Sequence, residues 1–188
     1  MLFGAMSLCQ FFANVWLRRF STPRRDRAIY EAIYRLRPAC IVEVGLRCER
    51  RALRMMKLAR QRRRGPIEYV GIDLFESRPA STPGMTLKRA HRMLRCEGAA
   101  VRLFPGSADA ALTALANRVT EVGVIVIEGD PSFHRRARCI PFLPRMLADG
   151  ALLLWDDPGD SGREAPFSEC SAAEIRTWAR GVPFRRAA

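Results

Sequence analysis

Short, continuous apolar runs alternate along the chain with segments whose apolar residues recur every three or four positions. The runs Cys40-Ile-Val-Glu-Val-Gly45, Glu68-Tyr-Val-Gly-Ile-Asp73, Val122-Gly-Val-Ile-Val-Ile127 and Ala151-Leu-Leu-Leu-Trp155 have strand length and no polar alternation. That pattern fits strands buried on both faces, as in a parallel sheet between helix layers. A shorter run, Val101-Arg-Leu-Phe104, is stopped by Pro105-Gly106.

Between the runs the period changes to that of a helix. Ile29, Ile33 and Leu36, with Tyr30 and Tyr34 beside them, predict a helix closing at Pro38. Leu53, Met56 and Ala59, flanked by Ala52 and Met55, predict another that ends in Arg60-Gln-Arg-Arg-Arg-Gly-Pro66. Met85 to Leu94 and Ala108 to Val119 follow, the latter with Ser107 placed to cap it. Ile140, Leu143 and Leu147 predict a helix ending at Asp149-Gly150. A final helix is expected near Ser171 to Arg180, with Val182-Pro-Phe184 at most a short extra strand.

Strands alternating with helices in this way define an α/β fold. We expect a Rossmann-like three-layer sandwich, with a mostly parallel sheet of at least five strands and helices on both faces. The 188 residues suit a single domain, with residues 1–37 as an N-terminal helical segment and 38–188 as the sheet-bearing part. The apolar segment Met1 to Leu17, with Phe3, Phe11, Phe12 and Trp16, lacks a preceding basic residue and is followed by Arg18 and Arg19. That polarity is the reverse of a secretion signal, and Gln10 and Asn14 interrupt the stretch too early for a membrane span. The expectation is a helix packed on the domain or on a second copy, making a homodimer through this helix.

The formal charge of +13 brings nucleic acid into consideration. Of the 32 basic residues only Lys57 and Lys88 are lysine, and the arginines are spread over the whole chain with no nucleic-acid motif among them. The spread reads as compositional bias, so nucleic acid ranks behind a small-molecule substrate. Cysteines 9, 40, 48, 96, 139 and 170 form no pair of metal-binding spacing and read as reduced thiols of a cytoplasmic protein.

In a doubly wound sheet ligands bind beyond the carboxyl ends of the strands. Those ends carry Glu43, Gly45, Asp73, Asp109, Glu128, Asp130, Asp156 and Asp157. Gly45 lets backbone approach a ligand at the start of the next helix, where amide groups point outward. Asp73 closes the second strand, 28 positions after Gly45, where nucleotide-binding folds place the acid that accepts from a ribose. Converging acids need a cation between them, which argues for a metal ion or a positively charged cofactor.

At these residues the chain resembles the class I S-adenosylmethionine-dependent methyltransferases, in particular the branch of small-molecule O-methyltransferases. The resemblance rests on Val42-Glu-Val-Gly45, Val70-Gly-Ile-Asp73, Gly106-Ser-Ala-Asp-Ala-Ala-Leu112, Ile127-Glu-Gly-Asp-Pro-Ser-Phe133 and Gly150-Ala-Leu-Leu-Leu-Trp-Asp-Asp157. It implies S-adenosylmethionine as cofactor, with Glu43 and Gly45 at its methionine end, Asp73 at the ribose, Ala108 or Asp109 near the adenine, and Glu128 also in the cofactor site. It further implies magnesium as a candidate second cofactor, on Glu128, Asp156 and Asp157, and His134 is the candidate base. The turn departs from the family pattern, reading Leu46-Arg-Cys-Glu49 where further glycines are usual, and Pro131 and Phe133 replace a histidine and a tyrosine. The chain ends about where the last strands of the full fold are expected. Two other functions stay open: a methyltransferase-like domain that binds without catalysing, and a protein that binds or modifies nucleic acid.

Overall fold

The computed structural model describes residues 8–46, 49–79, 84–95, 98–128, 138–156 and 166–181. Six strands form one sheet: β1 (Cys40–Val44), β2 (Glu68–Asp73), β3 (Ala100–Pro105), β4 (Val122–Ile127), β5 (Leu147–Trp155) and β6 (Ser168–Ser171). Their order across the sheet is β3-β2-β1-β4-β5-β6. The first five are parallel and β6 runs antiparallel to β5. The helices are α1 (Leu8–Arg19), α2 (Asp26–Leu36), α3 (Glu49–Arg62), α4 (Leu87–Leu94), α5 (Ala108–Leu115) and α6 (Ala172–Gly181). This is the Rossmann-like α/β sandwich that the strand and helix periods predict.

Alternation along the strands divides the core into two. Val42, Val44, Val70, Ile72, Ile125 and Ile127 face α5, α6 and the 140–145 segment. Ile41, Tyr69, Val124 and Val126 face the opposite way, under Ile29, Tyr30 and Ile33 of α2 and Met55, Met56 and Leu58 of α3. Every residue of β1 and β4 is buried, which is why both read as uninterrupted apolar runs. The order reverses between β1 and β4, so the strand ends there open the crevice at which such folds take ligands.

The structure departs from the sequence reading at several elements. Ile140–Arg145 is a 3-10 segment, not an α-helix, because Pro141 and Pro144 lack the amide hydrogens that an α-helical turn requires. Leu147 belongs to β5, paired with Val122, and Asp149-Gly150 lies inside that strand instead of ending a helix. Gly150 has φ +74° where the β4–β5 register shifts, the conformation of a bulge glycine. β6, within a stretch read as loop, has one apolar member in Ser-Glu-Cys-Ser and gives no strand signal. α5 stops at Leu115, and Ser107 makes no side-chain cap. Thr86 does cap α4, accepting a hydrogen bond from the Arg89 amide at 3.2 Å. Val182 to Phe184 lies outside the described residues. Among the described residues no helix is long and apolar enough to cross a membrane.

Candidate active site

The crevice is built on the ends of β1, β2 and β4. Gly45 leaves β1 at φ +84° and donates to the Ile72 carbonyl at 2.8 Å, while the Glu128 amide donates to Val44 at 2.9 Å. A Cβ on Gly45 would run into the Glu128 carbonyl oxygen, so only glycine lets the β1 and β4 ends approach this closely. Gly106 donates to the Asp73 carbonyl at 2.8 Å and ties the end of β3 to that of β2.

Glu43 points to the α2–α3 side of the sheet and is fully buried. One of its oxygens takes Arg51 Nε at 2.7 Å and Nη2 at 2.6 Å, and the other accepts from the Tyr69 hydroxyl. Arg51 lies in the first turn of α3, its side chain 3% exposed, and also donates to the Gly45 carbonyl at 3.3 Å. Its Nη1 lies 2.5 Å from Glu128 and 3.8 Å from Asp26. Burial on its own lowers the Arg51 pKa, but Glu43 and Asp26 outweigh it and hold the guanidinium charged. Asp26 opens α2 and is buried. Desolvation drives its pKa upward, against the opposing pull of Arg51 and Arg25.

Arg25, immediately before α2, extends this chain of charges. It pairs with Glu128 through Nη2 and with Asp156, at the end of β5, through Nη1 at 3.3 Å. Its guanidinium also lies 5.3 Å from the centre of the Phe167 ring. An unbroken path thus runs from Asp156 through Arg25, Glu128 and Arg51 to Glu43 and Tyr69. Among the described residues, Glu43, Glu128 and Asp156 thus take their counter-charge from Arg25 and Arg51. Neither Arg25 nor Arg51 stands out in a sequence so rich in arginine.

Asp73 occupies a separate position at the end of β2. It is 5% exposed, its Oδ1 accepts from the Phe75 amide at 3.0 Å and from Arg78, and its Oδ2 is buried without a hydrogen bond. Asp109 sits in the first turn of α5 and accepts from the Cys139 amide at 3.3 Å, with Ala108 beside it. The structure therefore brings Glu43, Gly45 and Glu128 together and sets Asp73 on the neighbouring strand end. His134, Asp130 and Asp157 lie outside the described residues. For S-adenosylmethionine the residues offer a fit in the orphaned Asp73 oxygen, a buried acceptor where a ribose donor is required. For magnesium they do not: Glu128 and Asp156 already share Arg25, and among the described residues no group of acids, histidines or cysteines is arranged to hold a metal.

No protein-family model matches the sequence, and no curated protein matches it either. Solved structures that it is similar to include several O-methyltransferases. A Klebsiella pneumoniae protein assigned to the O-methyltransferases superposes with TM-score 0.54 at 15% identity, over 85% of this chain and 66% of that one. An O-methyltransferase of tomaymycin synthesis from Streptomyces achromogenes, in complex with SAM, gives TM-score 0.54 at 13% identity, over 90% of this chain and 75% of that one. The Bacillus cereus O-methyltransferase in complex with SAH gives TM-score 0.50 at 11% identity, over 90% and 74%. The chain thus spans just under two thirds of the first of these proteins, and what it shares with all three is the fold.

Proposed function

We propose that the protein is an S-adenosylmethionine-dependent methyltransferase acting on a hydroxyl or amine of a small molecule in the cytoplasm. The observation that carries this reading is the buried, unpartnered Oδ2 of Asp73 at the end of β2, beside the Gly45 turn. A buried acceptor without a donor is costly, and a ribose hydroxyl would satisfy it. In this reading the Gly45 turn takes the methionine end, with Glu43 bracing it from behind through Arg51 and Tyr69, Ala108 or Asp109 borders the adenine, Glu128 closes the site from β4, and His134 is the base. When bound, the cofactor supplies a sulfonium methyl group for in-line transfer; the chain's own residues contribute position and field. The exposed Leu8, Phe11, Phe12, Trp16 and Phe20 of the α1 region are the surface proposed to pair two copies, which light scattering of Phe12→Glu would check.

Calorimetric titration with S-adenosylmethionine and S-adenosylhomocysteine tests the proposal. Micromolar binding, weakened at least about tenfold in Asp73→Ala, is expected for the loss of one buried hydrogen bond to a charged group. Absence of heat and of thermal stabilisation at millimolar cofactor would refute it. A second reading, cofactor binding without catalysis, is favoured by Glu43, whose two oxygens are held by Arg51 and Tyr69 and do not face a ligand. Binding without transfer of labelled methyl to any of a panel of phenols, catechols and amines would select it.

A further inference from the structure

Glu128 and Asp156, at the ends of β4 and β5, are two of the acids on which the resemblance implies magnesium, and here a side chain from the N-terminal part of the chain lies between them. Arg25 Nη1 is 3.3 Å from Asp156 Oδ2, and Nη2 pairs with Glu128 Oε1. The other Glu128 oxygen is 2.5 Å from Arg51 Nη1, so each carboxylate oxygen of Glu128 has its own guanidinium. We propose that Arg25 is the resident cation of this edge, standing in for a divalent metal, and that the protein neither binds nor uses a metal there.

Three observations support the inference independently of whether methyl transfer occurs. First, the arrangement is built in. The side chains of Arg25, Arg51 and Glu128 are 10%, 3% and 3% exposed, so these are interior pairs and not mobile surface contacts. Second, the charges oppose a metal. A divalent ion at the Glu128–Asp156 gap would sit against two guanidinium groups, and like charges at such separations repel strongly away from bulk water. Third, the ligand chemistry is wrong. Magnesium demands a near-octahedral shell of oxygens and gives up its waters reluctantly, whereas the gap presents nitrogen-bound hydrogens from a planar fork. A guanidinium gives a permanent positive charge in the site that needs no ion from solution. It also makes the N-terminal segment part of the crevice, since Arg25 and Asp26 both precede β1.

The test uses the full chain and manganese as a paramagnetic probe for a divalent site, with the free-ion resonance as readout. Wild-type protein is expected to leave the free signal unchanged at millimolar manganese. Arg25→Gln, which keeps a planar amide but removes the charge, is expected to gain manganese affinity by about tenfold or more, and Arg25→Lys, which keeps the charge, is expected to gain none. Manganese binding by the wild type that is weakened in Asp156→Asn would overturn the proposal. So would a folded Arg25→Gln, verified by circular dichroism, with no gain. Should Arg25→Gln fail to fold, the wild-type and Asp156→Asn titrations decide alone. None of these readouts involves the methyl donor, so failure of the methyltransferase reading and failure of this one are separable.

Discussion

Replacing Arg51 by methionine isolates what the buried charge network contributes. Methionine keeps much of the aliphatic volume and removes the guanidinium that pairs with Glu43 at 2.6 and 2.7 Å and with Glu128 at 2.5 Å. Glu128 would retain Arg25, but Glu43, fully buried, would keep only the Tyr69 hydroxyl. Deleting one partner of a buried pair typically costs about 3–5 kcal/mol, because the remaining charge is left without compensation. Against a total stability of roughly 5–15 kcal/mol, that is about a fifth of the margin or more. Urea unfolding followed by tryptophan fluorescence, with Trp155 and Trp178 packed at a tilt, ring centres 5.7 Å apart, as reporters, measures it. One further result is expected: Arg51→Met/Glu43→Gln should recover part of the loss, since a neutral amide needs no counter-charge. A loss below about 1 kcal/mol, or a double variant no more stable than Arg51→Met, would refute the reasoning.

Gly45→Ala is expected to destabilise by about 2 kcal/mol or more, from its positive φ together with the collision with the Glu128 carbonyl, and an unchanged midpoint in urea would contradict that. Asp26 has its pKa raised above 3.8 chiefly by burial, so the folded state holds its proton more tightly than the unfolded chain does. That contribution to stability is full below the unfolded value and is lost as pH rises through the folded one. Asp26→Asn should therefore remove one downward component of stability as pH rises above about 4, and superimposable pH profiles for variant and wild type would disprove it. The Cys40 thiol is pushed up to about 12 by burial and by nearby Glu68, while Cys9 is exposed. A thiol reagent at about pH 8 should label Cys9 rapidly and Cys40 only on unfolding, with mass spectrometry assigning the sites; early labelling at Cys40 would mean that β1 opens locally.

Much of the sheet is legible in the sequence because its central strands are buried on both faces, and burial on both faces writes itself as an uninterrupted apolar run. Where that condition fails, the signal fails. Among the described residues β6 is an edge strand paired only with β5, and Ser168-Glu-Cys-Ser171 carries the polar composition that an edge tolerates. The 140–147 stretch fails for a different reason. Its apolar spacing is helical, but two prolines override spacing by removing donors, and Leu147 then serves in a strand instead. The sheet order and the antiparallel edge are not local properties, so no window of sequence contains them.

The site was legible in its acids and not in its bases. Acids at strand ends stand out because such positions are few and topologically defined, whereas Arg25 and Arg51 are two among many arginines, and Arg25 reaches Asp156 across 131 residues. Yet one signal was available. Arg51 falls four residues before Met55 and seven before Leu58, on the buried face of α3, and Asp26 falls three before Ile29 and seven before Ile33, on the buried face of α2. A charge at an apolar position of one helix is a misfit. Opposite charges at apolar positions of two helices that flank the same strand are a pair, because burial is tolerable only for partners that meet. Converging acids require a cation, as the sequence implies, but nothing in that requirement specifies where the cation comes from. In this chain part of it is supplied by Arg25, just before α2, and by Arg51 of α3, and Asp73 alone among the described strand-end acids keeps a buried oxygen that the fold leaves unanswered.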